Sequence, residues 1–111
     1  TFRLDGAGRV CEIGGRAGHV GEIQGQYMGL LKLATPALDW IDEILARTPD
    51  EAARAGMDMT TLLRHLIAQG RAVNAIPVSG GWCEIDNPSD LAVAEALLAE
   101  GRLPRATGGY P

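Results

Sequence analysis

The segment from residue 80 to residue 90, Gly-Gly-Trp-Cys-Glu-Ile-Asp-Asn-Pro-Ser-Asp, decides how the rest of the sequence is interpreted. Two glycines predict a turn, the residues from Trp82 to Ile85 predict a short strand, and Asn87 followed by Pro88 predicts a helix start. Asparagine is a favourable N-cap, and proline at the first helical position loses no hydrogen bond. A strand that leads directly into a helix favours an α/β fold.

Asp86 is the candidate functional residue of this segment. It stands at the carboxyl end of the predicted strand, where open α/β sheets place their ligands. A carboxylate there can hold Mg²⁺, which takes only one or two protein carboxylates and completes its coordination with water and phosphate oxygens. The alternative is that Asp86 only helps to cap the helix. Asp90, in the first helical turn, is explained by its favourable interaction with the helix dipole.

Composition excludes several classes of protein. With 111 residues, 46% apolar residues, 22% charged residues and a net charge of −4, the chain is one ordinary globular domain or part of one. It has no Lys/Arg cluster and no apolar run of membrane-spanning length, and its first residues lack the basic and hydrophobic regions of a signal peptide. We therefore expect a cytoplasmic protein without nucleic-acid or membrane partners. Cys11 and Cys83 have no CxxC spacing, so we expect buried free thiols and no zinc site.

Further stretches of the sequence predict strands. They are a hairpin formed by residues 2–4 and 9–13, a buried strand at residues 27–33 and a second buried strand at residues 73–78. Gly25 and Gly29 weaken a strand, which indicates a bulge or the close approach of another group. Pro77 cannot donate to a sheet, so it should lie near a strand end or on an edge.

Helices are predicted where apolar residues recur at helical spacing between recognisable start and stop residues. The predicted starts are Thr35, Asp50, Asp58 or Thr60, and Pro88, and the predicted ends are near Pro49, Ala55, Gly70 and Gly101. The predicted buried stripes are Leu38, Ile41, Ile44 and Leu45; Leu62, Leu63, Leu66 and Ile67; and Leu91, Ala94, Leu97 and Leu98. Residues 102–111 are predicted to form a frayed tail. Residues 21–101 then make up an α/β core behind the hairpin.

The sequence resembles a known family. The pair Gly21-Glu22 and the segment Trp-x-Glu-Ile-Asp-x-Pro-x-Asp-Leu-x-x-Ala at residues 82–94 carry the resemblance, with Gly29-Leu30 and a strand ending near Val78 between them. It resembles the C-terminal half of the nucleotidyltransferases that activate small phosphorylated compounds, most closely the phosphocholine cytidylyltransferase and sugar-phosphate nucleotidyltransferase branch. The resemblance spans about residues 2 to 100. It implies part of a Rossmann-like α/β/α sandwich with a mixed sheet, without its N-terminal nucleotide-binding half.

The resemblance also implies an activity and its residues. Members of the family join a nucleoside triphosphate to a phosphorylated small molecule and release pyrophosphate, with Mg²⁺ held by two acidic positions. Asp86 matches the second metal position, and Glu22 matches a glutamate at the acceptor-substrate pocket, which Tyr27 and Trp82 would wall. The glycine-rich nucleotide loop and the first metal aspartate have no counterpart here. We therefore expect the chain alone to be inactive, with an open sheet edge through which it could self-associate.

Two other interpretations stay open at this point. In the first, the chain is a small α+β interaction or regulatory domain, and the Glu-Ile-Asp turn is only a capping device. In the second, it is a domain that binds a sugar or a nucleotide without transferring a nucleotidyl group.

Overall fold

The computed structural model describes residues 1–104 and has a mixed α/β content. Its elements are β1 (Phe2–Leu4), β2 (Val10–Ile13), a short 3₁₀ helix (Val20–Glu22), α1 (Thr35–Arg47), α2 (Glu51–Ala55), α3 (Met59–Ala68) and α4 (Pro88–Ala99). The chain divides into two compact units, Thr1–Ile76 and Pro77–Pro111, which are described separately below. The part of the predicted tail from residue 105 onward lies outside the described residues.

The predicted hairpin is confirmed. β1 and β2 pair antiparallel, with Arg3 opposite Glu12, and these two side chains form an ion pair at 3.5 Å. The turn is closed by Asp5, whose carboxylate accepts hydrogen bonds from the backbone N–H groups of Ala7 at 2.8 Å and Arg9 at 2.9 Å. These bonds favour the ionised carboxylate. The backbone hydrogen bond from Arg9 accordingly lowers the pKa of Asp5 below its ordinary value.

The core of the first unit lies between β2, α1 and α3. Its buried side chains are Val10, Ile13, Ile44, Leu62, Leu63 and Leu66. The stripe predicted for α3 is therefore confirmed, since three of its four members are buried and Ile67 packs against them. The stripe predicted for α1 is only partly buried, because Leu38 is 52% exposed. An amphipathic helix thus provides most of the apolar surface that β2 covers.

Polar contacts cap the N-terminus of α3 and join its middle to the hairpin. Asp58 caps its N-terminus by accepting a hydrogen bond from the backbone N–H of Thr61 at 2.7 Å. The side chain of Arg64 extends from α3 and donates hydrogen bonds to the carbonyl oxygens of Ile13 at 2.9 Å and Gly14 at 2.8 Å. Because those carbonyls end β2, the arginine ties the helix to the hairpin. The same helix is therefore stabilised by a local cap and by a contact with residues distant in sequence.

The strands predicted at residues 27–33, 73–78 and 82–85 are wrong. These segments have no regular secondary structure, and within the described residues the sheet has only two strands. Gly29 has φ +85°, which lies outside the extended region and interrupts the first segment. Pro77 removes a donor from the second. Residues 73–78 contact the hairpin through an isolated bridge between Arg9 and Asn74 and a hydrogen bond from the N–H of Val10 to the carbonyl oxygen of Val73 at 2.8 Å. These contacts do not form a strand, and the Rossmann-like sheet is not confirmed.

The close approach expected at Gly25 is confirmed. Its backbone carbonyl accepts a hydrogen bond from the N–H of Phe2 at 2.9 Å, and the Phe2 ring occupies the space that a side chain at residue 25 would need. Gln24 completes this contact, because its side-chain oxygen accepts from the N–H of Leu4. A short third segment therefore lies along the edge of β1.

Two predictions about burial need correction. In α4 only Ala94 is buried, whereas Leu91 is 48% and Leu98 38% exposed, so most of the predicted stripe is not covered. Cys11 is exposed because its side chain points away from the core face of β2, and Cys83 is half-buried; both thiols are free. None of the helices within residues 1–104 is long and apolar enough to cross a membrane.

Candidate functional site

The helix start predicted after Asp86 is confirmed in the second unit. Asn87 is the N-cap of α4, with Pro88 at the first helical position. The side-chain oxygen of Asn87 accepts hydrogen bonds from the backbone N–H groups of Ser89 at 2.9 Å and Asp90 at 3.2 Å. These bonds satisfy amides that have no partner inside the helix.

Asp90 does more in this structure than the sequence indicates. Its Oδ2 atom accepts from the backbone N–H of Asn87 at 3.2 Å, which completes a capping box. The same oxygen accepts from the backbone N–H of Asp86 at 3.1 Å. One carboxylate oxygen thus binds two successive amides of the segment that leads into α4. Sequence reasoning assigned Asp90 to the helix dipole and missed this contact.

The Asp86 side chain is exposed at the surface. Among residues 1–104, no group donates a hydrogen bond to its carboxylate and no cation pairs with it. The described part of the chain also has no group of three His, Cys, Asp or Glu side chains that could form a metal site by itself. A single unpartnered carboxylate fits an ion such as Mg²⁺, which keeps water and phosphate oxygens as its other ligands. It does not fit a cage built only of protein ligands.

Glu22 lies at the end of the 3₁₀ helix in the first unit. Its Oε2 atom accepts a hydrogen bond from the backbone N–H of Gly18 at 2.8 Å, and its Oε1 atom is 3.5 Å from Nε2 of His19. Both oxygens therefore contact the glycine-containing loop that precedes the helix. The side chain is still 37% exposed, so its outer face can reach a ligand.

A small cavity of about 30 Å³ opens beside Glu22. It is lined by Thr1, Phe2, Arg3, Glu12, Gly15, Arg16, Ala17, Glu22 and Ile23. This volume holds about one or two water molecules. The cavity is thus sized for the end of a polar ligand and too small for a nucleotide. Two arginines and two glutamates around it can contact both a cationic and an anionic group.

The predicted site residues fall into two groups. Glu22 and Tyr27 belong to the first unit, and Trp82 and Asp86 belong to the second. Tyr27 packs against the apolar core and is not among the residues that line the cavity. Trp82 is half-buried. The substrate-binding roles of Glu22, Tyr27 and Trp82 and the metal-binding role of Asp86 stay predictions.

Sequence reasoning did not single out Arg3 and Arg16 as neighbours of Glu22. Arg16 carries a usable signal, because it follows two glycines in the loop that precedes Glu22. Arg3 carries none, since its place depends on the register in which β1 pairs with β2. A position set by a long-range pairing cannot be read from the residues around it.

Comparison with known proteins gives one informative similarity. No protein-family model matches the sequence, and no solved structure matches it. The chain is 36% identical over 91 residues to the CTP:phosphoglutamine cytidylyltransferase of Campylobacter jejuni. The matched part is 78% of this chain and 36% of that enzyme, so the chain spans about a third of the length of the curated relative. The chain is thus similar in sequence to part of a nucleotidyltransferase.

Proposed function

We propose that this chain is part of a Mg²⁺-dependent nucleotidyltransferase. It would transfer a cytidylyl group from CTP to a phosphorylated small molecule and release pyrophosphate. The observation that carries the proposal is the 36% identity to a cytidylyltransferase over 91 residues, most of the chain. The nucleotide-binding residues would come from outside the 111 residues, since the relative is much longer and the chain lacks a glycine-rich phosphate loop.

In this proposal Asp86 is the metal ligand. Its carboxylate is exposed and has no protein partner within residues 1–104, so an ion can bind it without first breaking a contact. Mg²⁺, when bound, would supply positive charge that offsets the negative charge developing on the phosphates during transfer. The role of Asp86 would be to hold this cation, whose positive charge favours binding of the negatively charged phosphates.

Glu22 would orient the acceptor. Its contacts with Gly18 and His19 fix the carboxylate at the mouth of the cavity. Arg3 and Arg16 on the cavity wall can attract the phosphate of the acceptor, and the two glutamates can attract a cationic group at its other end. This arrangement favours a small acceptor that carries charges of both signs.

The reaction itself requires little covalent chemistry from the protein. A phosphate oxygen of the acceptor attacks the α-phosphorus of the nucleotide, and the bond between that phosphorus and the bridging oxygen to the β-phosphate breaks. Pyrophosphate leaves with the electron pair of that bond. The side chains contribute position and charge, which is how phosphoryl-transfer sites generally work.

The test is Asp86→Asn in the complete polypeptide that carries these residues. We expect pyrophosphate release from CTP, with a phosphorylated acceptor, to fall by at least about 100-fold, since even partners of metal ligands are worth about 10- to 100-fold. Secondary structure and the unfolding temperature should stay unchanged, because the Asp86 carboxylate is exposed and makes no hydrogen bond or ion pair within the described chain.

The matched control is Glu95→Gln, which removes one exposed negative charge from α4 in the same unit. This variant should keep its turnover. Undiminished turnover in Asp86→Asn would remove Asp86 from the site. If the unmodified polypeptide neither binds CTP nor forms pyrophosphate, the interpretations left are an interaction or regulatory domain and a sugar-binding domain.

A further inference from the structure

The contact between Asp90 and the backbone of Asp86 exceeds what helix capping requires. A capping box needs only that the third helical residue accept a hydrogen bond from the N-cap amide, which here is the N–H of Asn87. The N–H of Asp86 precedes the N-cap and is not one of the amides that a helix leaves unpaired. The additional bond from this amide to Oδ2 of Asp90 therefore serves the segment before the helix.

The geometry restrains the backbone that carries the Asp86 side chain. Two successive N–H groups, of Asp86 and Asn87, point at one oxygen at 3.1 Å and 3.2 Å. Asp90 is itself half-buried, and its own N–H is bound by Asn87. Its carboxylate is thus attached to a rigid helix start. Because both amides bind one oxygen, rotation about the N–Cα and Cα–C bonds of Asp86 between them is limited, and with it the direction of the Asp86 Cα–Cβ bond.

We infer that Asp90 is a positioning residue, which holds the Asp86 carboxylate in the direction needed to bind a divalent cation. The inference rests on the proposed metal role of Asp86. Asp90 acts through two backbone amides and needs no contact with the ion. Without it, the free carboxylate of Asp86 would sample more directions and bind the ion more weakly.

The test is an Mn²⁺ titration of the ¹⁵N-labelled complete polypeptide, read as paramagnetic line broadening of the amide signals of residues 84–87. Mn²⁺ is the probe because it takes oxygen ligands as Mg²⁺ does. In Asp90→Ala we expect the Mn²⁺ concentration for half-maximal broadening to rise about three- to fivefold, the size of one lost hydrogen bond. Hydrogen exchange of the Asp86 amide should accelerate in the same variant.

Two further variants separate positioning from charge and from helix stability. Asp90→Asn removes the same negative charge but keeps an acceptor oxygen, so its titration should stay within about twofold of the unmodified polypeptide. Asn87→Ala removes the bonds to the amides of Ser89 and Asp90 but leaves Asp90 free to bind the amide of Asp86. It should lower the unfolding temperature without weakening Mn²⁺ binding.

Each opposite result overturns the inference. If Asp90→Asn binds Mn²⁺ as weakly as Asp90→Ala, Asp90 acts through its charge. If Asn87→Ala also binds Mn²⁺ as weakly, the effect comes from loss of the helix start. If the amide signals of all variants broaden at the same Mn²⁺ concentration as those of the unmodified polypeptide, Asp90 has no positioning role although Asp86 binds the ion. Absence of broadening near Asp86 in the unmodified polypeptide refutes the metal role itself, and the positioning role with it.

Discussion

Two apolar regions of the first unit differ in the burial of their side chains. In α3, the side chains of Leu62, Leu63 and Leu66 are at most 9% exposed. In the segment from Val20 to Leu33, Val20 is 82% and Leu30 78% exposed. Both regions are rich in aliphatic residues, so hydrophobicity alone does not decide which of them is buried.

The difference lies in how each region satisfies its backbone. A helix forms its hydrogen bonds within itself, so α3 can bring a complete apolar stripe to β2 and α1. An extended segment needs a neighbouring strand for its N–H and C=O groups. Residues 27–33 have no strand beside them in the described chain, and Gly29 bends the segment away from extended geometry. Its aliphatic side chains consequently stay at the surface.

The sharpest test of this comparison is a pair of leucine substitutions. Leu63→Ala should lower the free energy of unfolding by about 2 to 5 kcal/mol, because it leaves a cavity in the core. Leu30→Ala removes the same atoms from an exposed position and should change it by no more than about 0.5 kcal/mol. Urea unfolding of both variants gives the two values. A cost at Leu30 close to that at Leu63 would mean that residue 30 is buried in solution.

Arg64→Ala should have the next largest effect. It removes the hydrogen bonds to the carbonyl oxygens of Ile13 and Gly14 that join α3 to the hairpin. We expect the free energy of unfolding to fall by about 1.5 to 3 kcal/mol, as for hydrogen bonds from a charged group. Arg64→Lys keeps the charge but loses the planar donor group. Its free energy of unfolding should therefore lie between those of the unmodified protein and Arg64→Ala. If Arg64→Lys and Arg64→Ala unfold alike, the charge contributes nothing without the paired geometry.

The same contrast explains which features the sequence could predict. The cap of α4 at Asn87, the cap of α3 at Asp58 and the hairpin between residues 2–4 and 9–13 all depend on residues within a few positions of each other. They were predictable because their chemistry is local. The buried strands at residues 27–33 and 73–78 were inferred from apolar content, which shows that a side chain favours burial but does not provide the strand that would cover it.

The candidate site follows the same division. Asp86 and Glu22 were predicted from their sequence surroundings and from family resemblance, and their roles stay predictions. Arg3 reaches the cavity beside Glu22 only through the pairing of β1 with β2, and the amide of Asp86 reaches Asp90 only because the chain turns at the helix start. Contacts of this kind depend on three-dimensional geometry, which a pattern of residue types does not specify.

The smallest predicted effect concerns the cap of α3 and its dependence on pH. The hydrogen bond from the backbone N–H of Thr61 lowers the pKa of Asp58 below its ordinary value of 3.8. The folded state therefore binds fewer protons than the unfolded state near that pH. The contribution of Asp58 is complete above pH 3.8 and is lost as the pH falls through the lower pKa of the folded state.

Asp58→Asn separates the cap from its titration. Asparagine also accepts the hydrogen bond from Thr61 but carries no titrating carboxylate, so α3 should stay capped while stability falls less steeply between neutral pH and pH 3. The measurement is the unfolding temperature of both proteins across that pH range. If the unfolding temperatures of the two proteins fall equally as the pH is lowered, Asp58 is not ionised more readily in the folded state than in the unfolded state. In that case α3 would be stabilised by its internal hydrogen bonds and its apolar stripe, and the charge of its cap would contribute nothing.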